Sequence, residues 1–378
     1  MKRALIIVLA VTLMLLCGCA KTPEAPEVPA TEPTPAPTEP TTVPTQPPTE
    51  PEEIKLINPL TGEPVEKLTN NRAFAVSLNN SKAAMPQHGV AQADILYEML
   101  IEGETRCMGV YYNMEEVTDT IGTIRSARRD FIRLAMAYDA IFVHNGQSPK
   151  QGTKYDVYSA EYTFAQTGWD HIDGNSNAYK YFYRDWTGRN QLEHTMFIKP
   201  EKIIEAAKDL GFETQRETSL DVGLKFDEEA FFVGDSAKKV KIWFNLSQSY
   251  SENWSKYTTM TYNEETGLYE AYQKHGGYTN GADYIDGNTG DVLTFRNVLI
   301  LRTPNETLQN SSKWMKIDVV GEGEGYFACN GQMMKIKWSR PTENDPYTYT
   351  TENGAPITLG VGKTYIAIVP MTGHLDVE

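Results

Sequence analysis

Residues 121–138 read IGTIRSARRDFIRLAMAY. Phe131, Leu134, Ala135 and Tyr138 recur at helical spacing and give one apolar face. Ser126 is placed to cap the helix start, its hydroxyl accepting from an amide two or three residues on. Arg125, Arg128, Arg129 and Arg133 gather around that start, where free N–H groups and partial positive charge already favour an anion. Two roles fit the cluster: a site for carboxylate or phosphate, or a surface network of arginines paired with nearby acids. The flanks set the fold class. Ala73–Asn79 (AFAVSLN) and Arg106–Tyr112 (RCMGVYY) read as strands, and Ala93–Ile101 (ADILYEMLI) as a strand or short helix. Ala140–His144 (AIFVH) is a short apolar run typical of a buried strand. Strands alternating with helix predict an α/β N-terminal domain over residues 54–221.

Farther out, Gly146–Glu193 is rich in Gly, Asn, Asp, Tyr and Trp and reads as an extended, partly helical excursion. Long irregular segments of this kind often carry function. Met196–Ile198 reads as a strand. Pro200–Leu210 (PEKIIEAAKDL) reads as a helix, with proline in its first turn and Gly211 after its end. From Val222 the pattern changes to short alternating segments separated by turns such as Glu265-Thr266-Gly267 and Asn330-Gly331. A β-rich (α+β) C-terminal domain, largely hairpins, is expected over 222–378.

The other end of the chain addresses it to a membrane. Lys2 and Arg3 precede an apolar run from Leu5 to Leu16, too short to span and flanked like a signal peptide. Leu16-Cys17-Gly18-Cys19 matches the lipobox of bacterial lipoproteins, which implies cleavage before Cys19 and its lipidation. Residues 1–19 are thus a lipoprotein signal. The expected location is the cell membrane, lipid-anchored on its extracytoplasmic face. Residues 20–53 are dominated by Pro, Thr, Glu and Ala, a composition unable to bury a core. They read as a disordered tether, reaching roughly 100 Å at about 3.1 Å per residue.

The net charge is −15, which argues against nucleic acid as a partner. Of four cysteines, Cys17 leaves with the leader and Cys19 is lipidated, so Cys107 and Cys329 remain. Outside the cytoplasm they could form a disulfide or stay as buried thiols.

Several further stretches match a known family: NRAFAVSLNN, MPQHGVAQADILYEMLIEGETR, IGTIRSARRDF and YDAIFVHNGQSP, then GDVLTFRNVLI, GEGEGYFACNGQMMKIKWSR and GAPITLGVGKTYIAIVP. Together they resemble the YerB-type bacterial lipoproteins, built from two adjoining domains of unknown function. The resemblance covers nearly everything after Ile54. It implies an envelope lipoprotein with distinct N- and C-terminal domains and brings no reaction with it. Thr123 and His88 depart from the residues usual there.

Four kinds of chemistry are conceivable. An anion site would use Arg106, Arg125, Ser126 and Arg128 with Asn79, Asn80, His144 and Asn145, the last four at predicted strand ends where α/β sheets place ligands. Acid–base catalysis would pair Glu98 or Glu102, among the acids Asp94 to Glu104, with His144 or His194. The oxygens from Asp283 to Asp291 could face a cation, but the loop lacks a calcium loop's distal Glu and reads as a polar hairpin turn. Trp169, Tyr179, Tyr181, Phe182, Tyr183 and Trp186 could stack on a glycan or peptide. No metal or cofactor motif is present: no HExxH, P-loop or dinucleotide fingerprint, and no GxSxG nucleophile either. The reading that follows is a binding module for an anionic small molecule, wall fragment or envelope protein. A hydrolase using a Glu/His pair, or a scaffold for a membrane protein, are the alternatives.

Overall fold

The computed structural model describes residues 56–230, 232–244 and 254–378. The signal, Cys19 and the tether lie outside the described residues. The described residues form one compact unit, an α/β first half followed by a β-rich second half.

The elements that build the core follow in chain order. The first half contributes β1 (Phe74–Asn79), β2 (Ile95–Ile101), β3 (Glu104–Tyr111), α1 (Arg129–Met136), β4 (Ile141–His144), α2 (Ala160–Thr167), β5 (His171–Asp173) and α3 (Pro200–Asp209). The second half contributes β6 (Lys239–Trp243), β7 (Tyr257–Asn263), β8 (Leu268–Lys274), β9 (Asn297–Thr303), β10 (Gly321–Cys329), β11 (Gln332–Arg340) and β12 (Thr364–Pro370). An 11-stranded sheet runs through both halves, in the order β11-β10-β9-β12-β2-β3-β1-β4-β5 with short strands at its β11 end. The seam is the parallel pair β2–β12, in register from Ile95 opposite Thr364 to Met99 opposite Ile368. β1, β2 and β12 are buried along their whole length. That is why they are near-continuous apolar runs, as strands covered on both faces are.

Side chains alternate between faces along a strand, and residues paired across strands share a face. Glu98 pairs with Cys107, and Cys107 with Leu78. This face is covered by a second sheet built on β6, β7 and β8: Thr258 bonds to Glu98, and Tyr284 to Cys107. On the other face Tyr97 bonds Tyr138 at the end of α1, and His144 stacks on Phe164 of α2. The result is three layers: helices, central sheet, second sheet.

The expected helix around the arginines is shorter than its sequence suggests. It begins at Arg129, with Arg128 as N-cap and no side-chain capping bond; Ser126 does not cap it. Ile124–Ala127 are instead extended, because their amides bond outward: Ile124 to Met196, Arg125 to Ser77 and Ala127 to Gly146. Cys107 and Cys329 are both buried free thiols.

Candidate functional site

The central sheet separates residues that looked like partners in sequence. Val143 shares the face of Val76, so His144 lies on the face opposite Glu98. His144 is also committed: Nδ1 donates to the Gly146 carbonyl, leaving Nε2 to accept from His171 Nδ1 at 2.9 Å. Burial holds it neutral, its pKa lowered to about 4. Glu98 is fully buried and receives four donors: Asn80 at 2.9 Å, Lys256 at 3.0 Å, Thr258 at 2.9 Å and Tyr365 at 2.6 Å. Glu102 grips Arg128 with both oxygens, at 2.5 and 2.7 Å. Burial raises the Glu102 carboxyl, but the bonds and charge of Arg128, with Arg106 and Arg125 nearby, outweigh it and hold the carboxyl below its ordinary value. Neither acid bonds to His144. His194 is equally occupied, between Asn79 at Nδ1 and Gln191 at Nε2.

The arginines divide in the same way. Arg106 is buried and donates to the Ser126 carbonyl at 2.6 Å. Arg128 is filled by Glu102. Arg133 holds Glu343 of the second half at 2.6 Å, and Arg129 lies over the Tyr158 ring. Arg125 differs: its guanidinium makes no hydrogen bond among the described residues, and its nearest acid, Glu193, is 3.8 Å away. Its side chain is 30 % exposed.

Arg125 lines a cleft of about 450 Å³ where the loops at one end of the central sheet meet loops of the second sheet. Asn80, Ser81 and Lys82 follow β1, and Gly103–Thr105 turn from β2 into β3. Gln191, Glu193 and His194 close the excursion, while Trp254, Lys256 and His275–Tyr278 come from the ends of β7 and β8. The Lys82 side chain is half-buried and makes no hydrogen bond or ion pair among the described residues. The floor is the Glu98 network, in which Lys256 also donates to Gln273 at 2.7 Å and Thr258 at 3.0 Å. The two charges in this ring are matched and buried, which holds them in place, while the Asn80 side-chain oxygen meets no hydrogen-bond partner among the described residues. The aromatic wall is Trp254 and Tyr278, both exposed. Gly277 stands at φ +81°, a conformation that favours glycine, with the Trp254 ring in van der Waals reach.

Of the residues singled out in sequence, Asn80, Glu104, Arg125 and His194 line this cleft directly. Asn79 braces it through His194 and the Glu193 carbonyl. Ser126 and Arg106 sit behind it, Arg128 is closed off by Glu102, and His144 and Asn145 are not among its lining residues. Three of the excursion's aromatics are engaged elsewhere: Trp169 bonds the Ala140 carbonyl, Tyr181 bonds Asp209, and Tyr183 stacks on Phe197; Tyr179 and Trp186 are exposed but are not among the cleft's lining residues. Lys82, Trp254, His275 and Tyr278 were missed. Lys82 alone carried a signal, since it follows the Asn79-Asn80-Ser81 run at a strand end. Within the Asp283–Asp291 turn, Asp286 accepts the amides of Gly89, Ala91 and Asn288, fastening the second half to the first.

Two descriptions match the chain: Protein of unknown function (DUF3048) N-terminal domain, over residues 60–213, and the corresponding C-terminal domain, over residues 246–366. A Bacillus subtilis (strain 168) protein named as a lipoprotein, YerB, is 28% identical over 321 residues, covering 84% of this chain and 87% of that protein. A crystal structure of YerB protein from Bacillus subtilis superposes with a TM-score of 0.69 at 24% identity, covering 85% of this chain and all of that one. With both domains present, in order and adjoining, the chain belongs to the YerB-like family of two-domain proteins of unknown function.

Proposed function

We propose that this protein is a lipid-anchored envelope lipoprotein that binds an anionic ligand in the cleft between its halves. Cys19 would carry the anchor on the extracytoplasmic face, and residues 20–53 would set the distance from it. The observation that supports binding is the state of two cations. Arg125 has only a loose acid partner at 3.8 Å, and Lys82 has none among the described residues. The other arginines of that region are held by acids, carbonyls or a ring. Cations left available beside a rigid floor suit a carboxylate or phosphate, because their charge is offset only when the ligand arrives. Trp254 and Tyr278 add faces on which a sugar or peptide can stack. Wall fragments and short peptides carry both kinds of group.

The test is a calorimetric titration of the full-length protein, in lipid nanodiscs, with carboxylate-bearing wall fragments and short peptide acids. Arg125→Ala and Lys82→Ala are each expected to weaken binding at least tenfold with unchanged thermal unfolding. Unchanged affinity in both variants, or no binding by any carboxylate ligand, ends the proposal.

A further inference from the structure

Beside the cleft lies a second, smaller pocket of about 220 Å³, lined by Lys82, Met85, Pro86, Gln273, His275, Ala282, Asp283 and Ile285. Two of these residues, Lys82 and His275, also line the cleft. The two spaces therefore meet at Lys82, whose ammonium has no partner among the described residues. Met85, Pro86, Ala282 and Ile285 give the pocket an aliphatic lining. It is smaller than the roughly 300–1,000 Å³ that hold a whole small ligand, so it suits one substituent of a ligand seated mainly in the cleft.

We propose that the ligand is a short peptide-like chain whose free carboxylate lies at Lys82 and whose adjoining aliphatic side chain fills the pocket of Met85, Pro86 and Ile285. This rests on the anion reading above and names the class of ligand. The charge pattern agrees. His275 stands at the border, and burial followed by the charges of Lys256 and Lys82 keeps it neutral, its pKa lowered to about 2. The border is thus electropositive yet offers an uncharged imidazole that does not compete for the carboxylate. Asp283, on the pocket's own lining, disfavours a second acid there, so the substituent entering it is uncharged. Pocket volume excludes a full-length acyl chain and admits a side chain the size of leucine.

The experiment compares matched tripeptides, Ala-Ala-Leu and Ala-Ala-Gly, each as free acid and as C-terminal amide, by calorimetry with the full-length protein in nanodiscs. Burying a leucine side chain is worth about tenfold to a hundredfold in affinity, so the leucine acid should bind tighter than the glycine acid by that factor. Both amides should bind weakly. Ile285→Gln should bring the leucine-to-glycine ratio towards one while keeping the glycine acid's affinity, and Lys82→Ala should weaken both acids together. Met85→Gln serves the same purpose should Ile285→Gln fail to fold. Equal affinities for the two acids in the unmodified protein, or a ratio untouched by both pocket variants, overturns this inference. If carboxylate-bearing wall fragments still bind in an Arg125-dependent way, the anion reading survives that result. If nothing carboxylated binds, both fall together.

Discussion

Arg125 and Arg128 stand three residues apart on one extended segment and meet opposite fates. Arg128 is held in a two-bond fork by Glu102, with both side chains about one-fifth exposed. Arg125 reaches only to 3.8 Å from Glu193, across a gap open to solvent. Beneath them, Glu98 and Lys256 form a third arrangement, an ion pair at 3.0 Å with almost no exposure. Charge that is buried and matched fixes structure, whereas charge that is open and mismatched is left available for a guest. The difference follows from where each backbone position points. The β2–β3 turn brings Glu102 directly against Arg128. Glu193 comes from the distant end of the excursion and is oriented by its own chain.

The contrast breaks first at the floor. Glu98→Ala leaves Lys256 buried without its carboxylate, and removing one partner of a buried pair costs about 3–5 kcal/mol. Urea unfolding measures this, and a loss under about 1 kcal/mol would mean that water or relaxation replaces the network and that the floor is not rigid. The next largest effect comes from acid. The folded-state pKa of His144 is lowered to about 4, so the unfolded chain takes up a proton first as pH falls from about 6.5. Stability from this group is therefore full above about 6.5 and lost on the way down to about 4, at most about 3 kcal/mol. Denaturation midpoints at a series of pH values test it. A flat profile between pH 7 and 5 would show His144 accessible to a proton in the folded state.

Sequence revealed strands of the first half because burial on both faces forces apolar runs, and β1 and β4 could be located from those runs. It gave no view of the seam. The pairing of β2 with β12 joins residues more than 250 positions apart, and an apolar strand looks the same whichever neighbour it takes. That seam makes one sheet of two families of segments and brings Lys256 beneath Asn80. The same limit applies to the site. Arginines announce themselves, but whether one is filled depends on a turn or loop elsewhere in the chain. Glu98 and His144 looked like a plausible acid–base pair until strand alternation put them on opposite faces, a fact that requires the register. Lys82 follows the Asn79-Asn80-Ser81 run at a strand end, but the sequence does not show that its ammonium has no partner among the described residues.

Smaller effects sharpen the contrast between the two arginines. Arg128→Ala should cost about 1–2 kcal/mol, since a charge-assisted pair is lost at a partly buried position. It should also change the acid limb. The Glu102 carboxyl is held below its ordinary value, so its contribution is present above that value and disappears as pH falls through the lowered one. In Arg128→Ala that loss at low pH should be missing. If the variant unfolds in acid along the same curve as the parent, the fork does not set the Glu102 pKa.

The smallest effect on stability is the most informative about binding. A solvent-open pair of this kind is worth about 0–1 kcal/mol, so Glu193→Gln should leave unfolding almost unchanged. It removes the negative charge nearest Arg125, and the cleft should then hold a peptide acid about two- to fivefold more tightly. Glu102→Gln, which loosens the already filled Arg128, should destabilise the fold without that gain. A fall in affinity on replacing Glu193 would mean that this acid contacts the ligand itself, recognising an amine or hydroxyl. Arg125 and Glu193 would then act as a pair reading both charges of a zwitterion. The two outcomes differ in sign, so a single titration series decides whether the open gap in the cleft wall is a vacancy for one anion or half of a two-charge site.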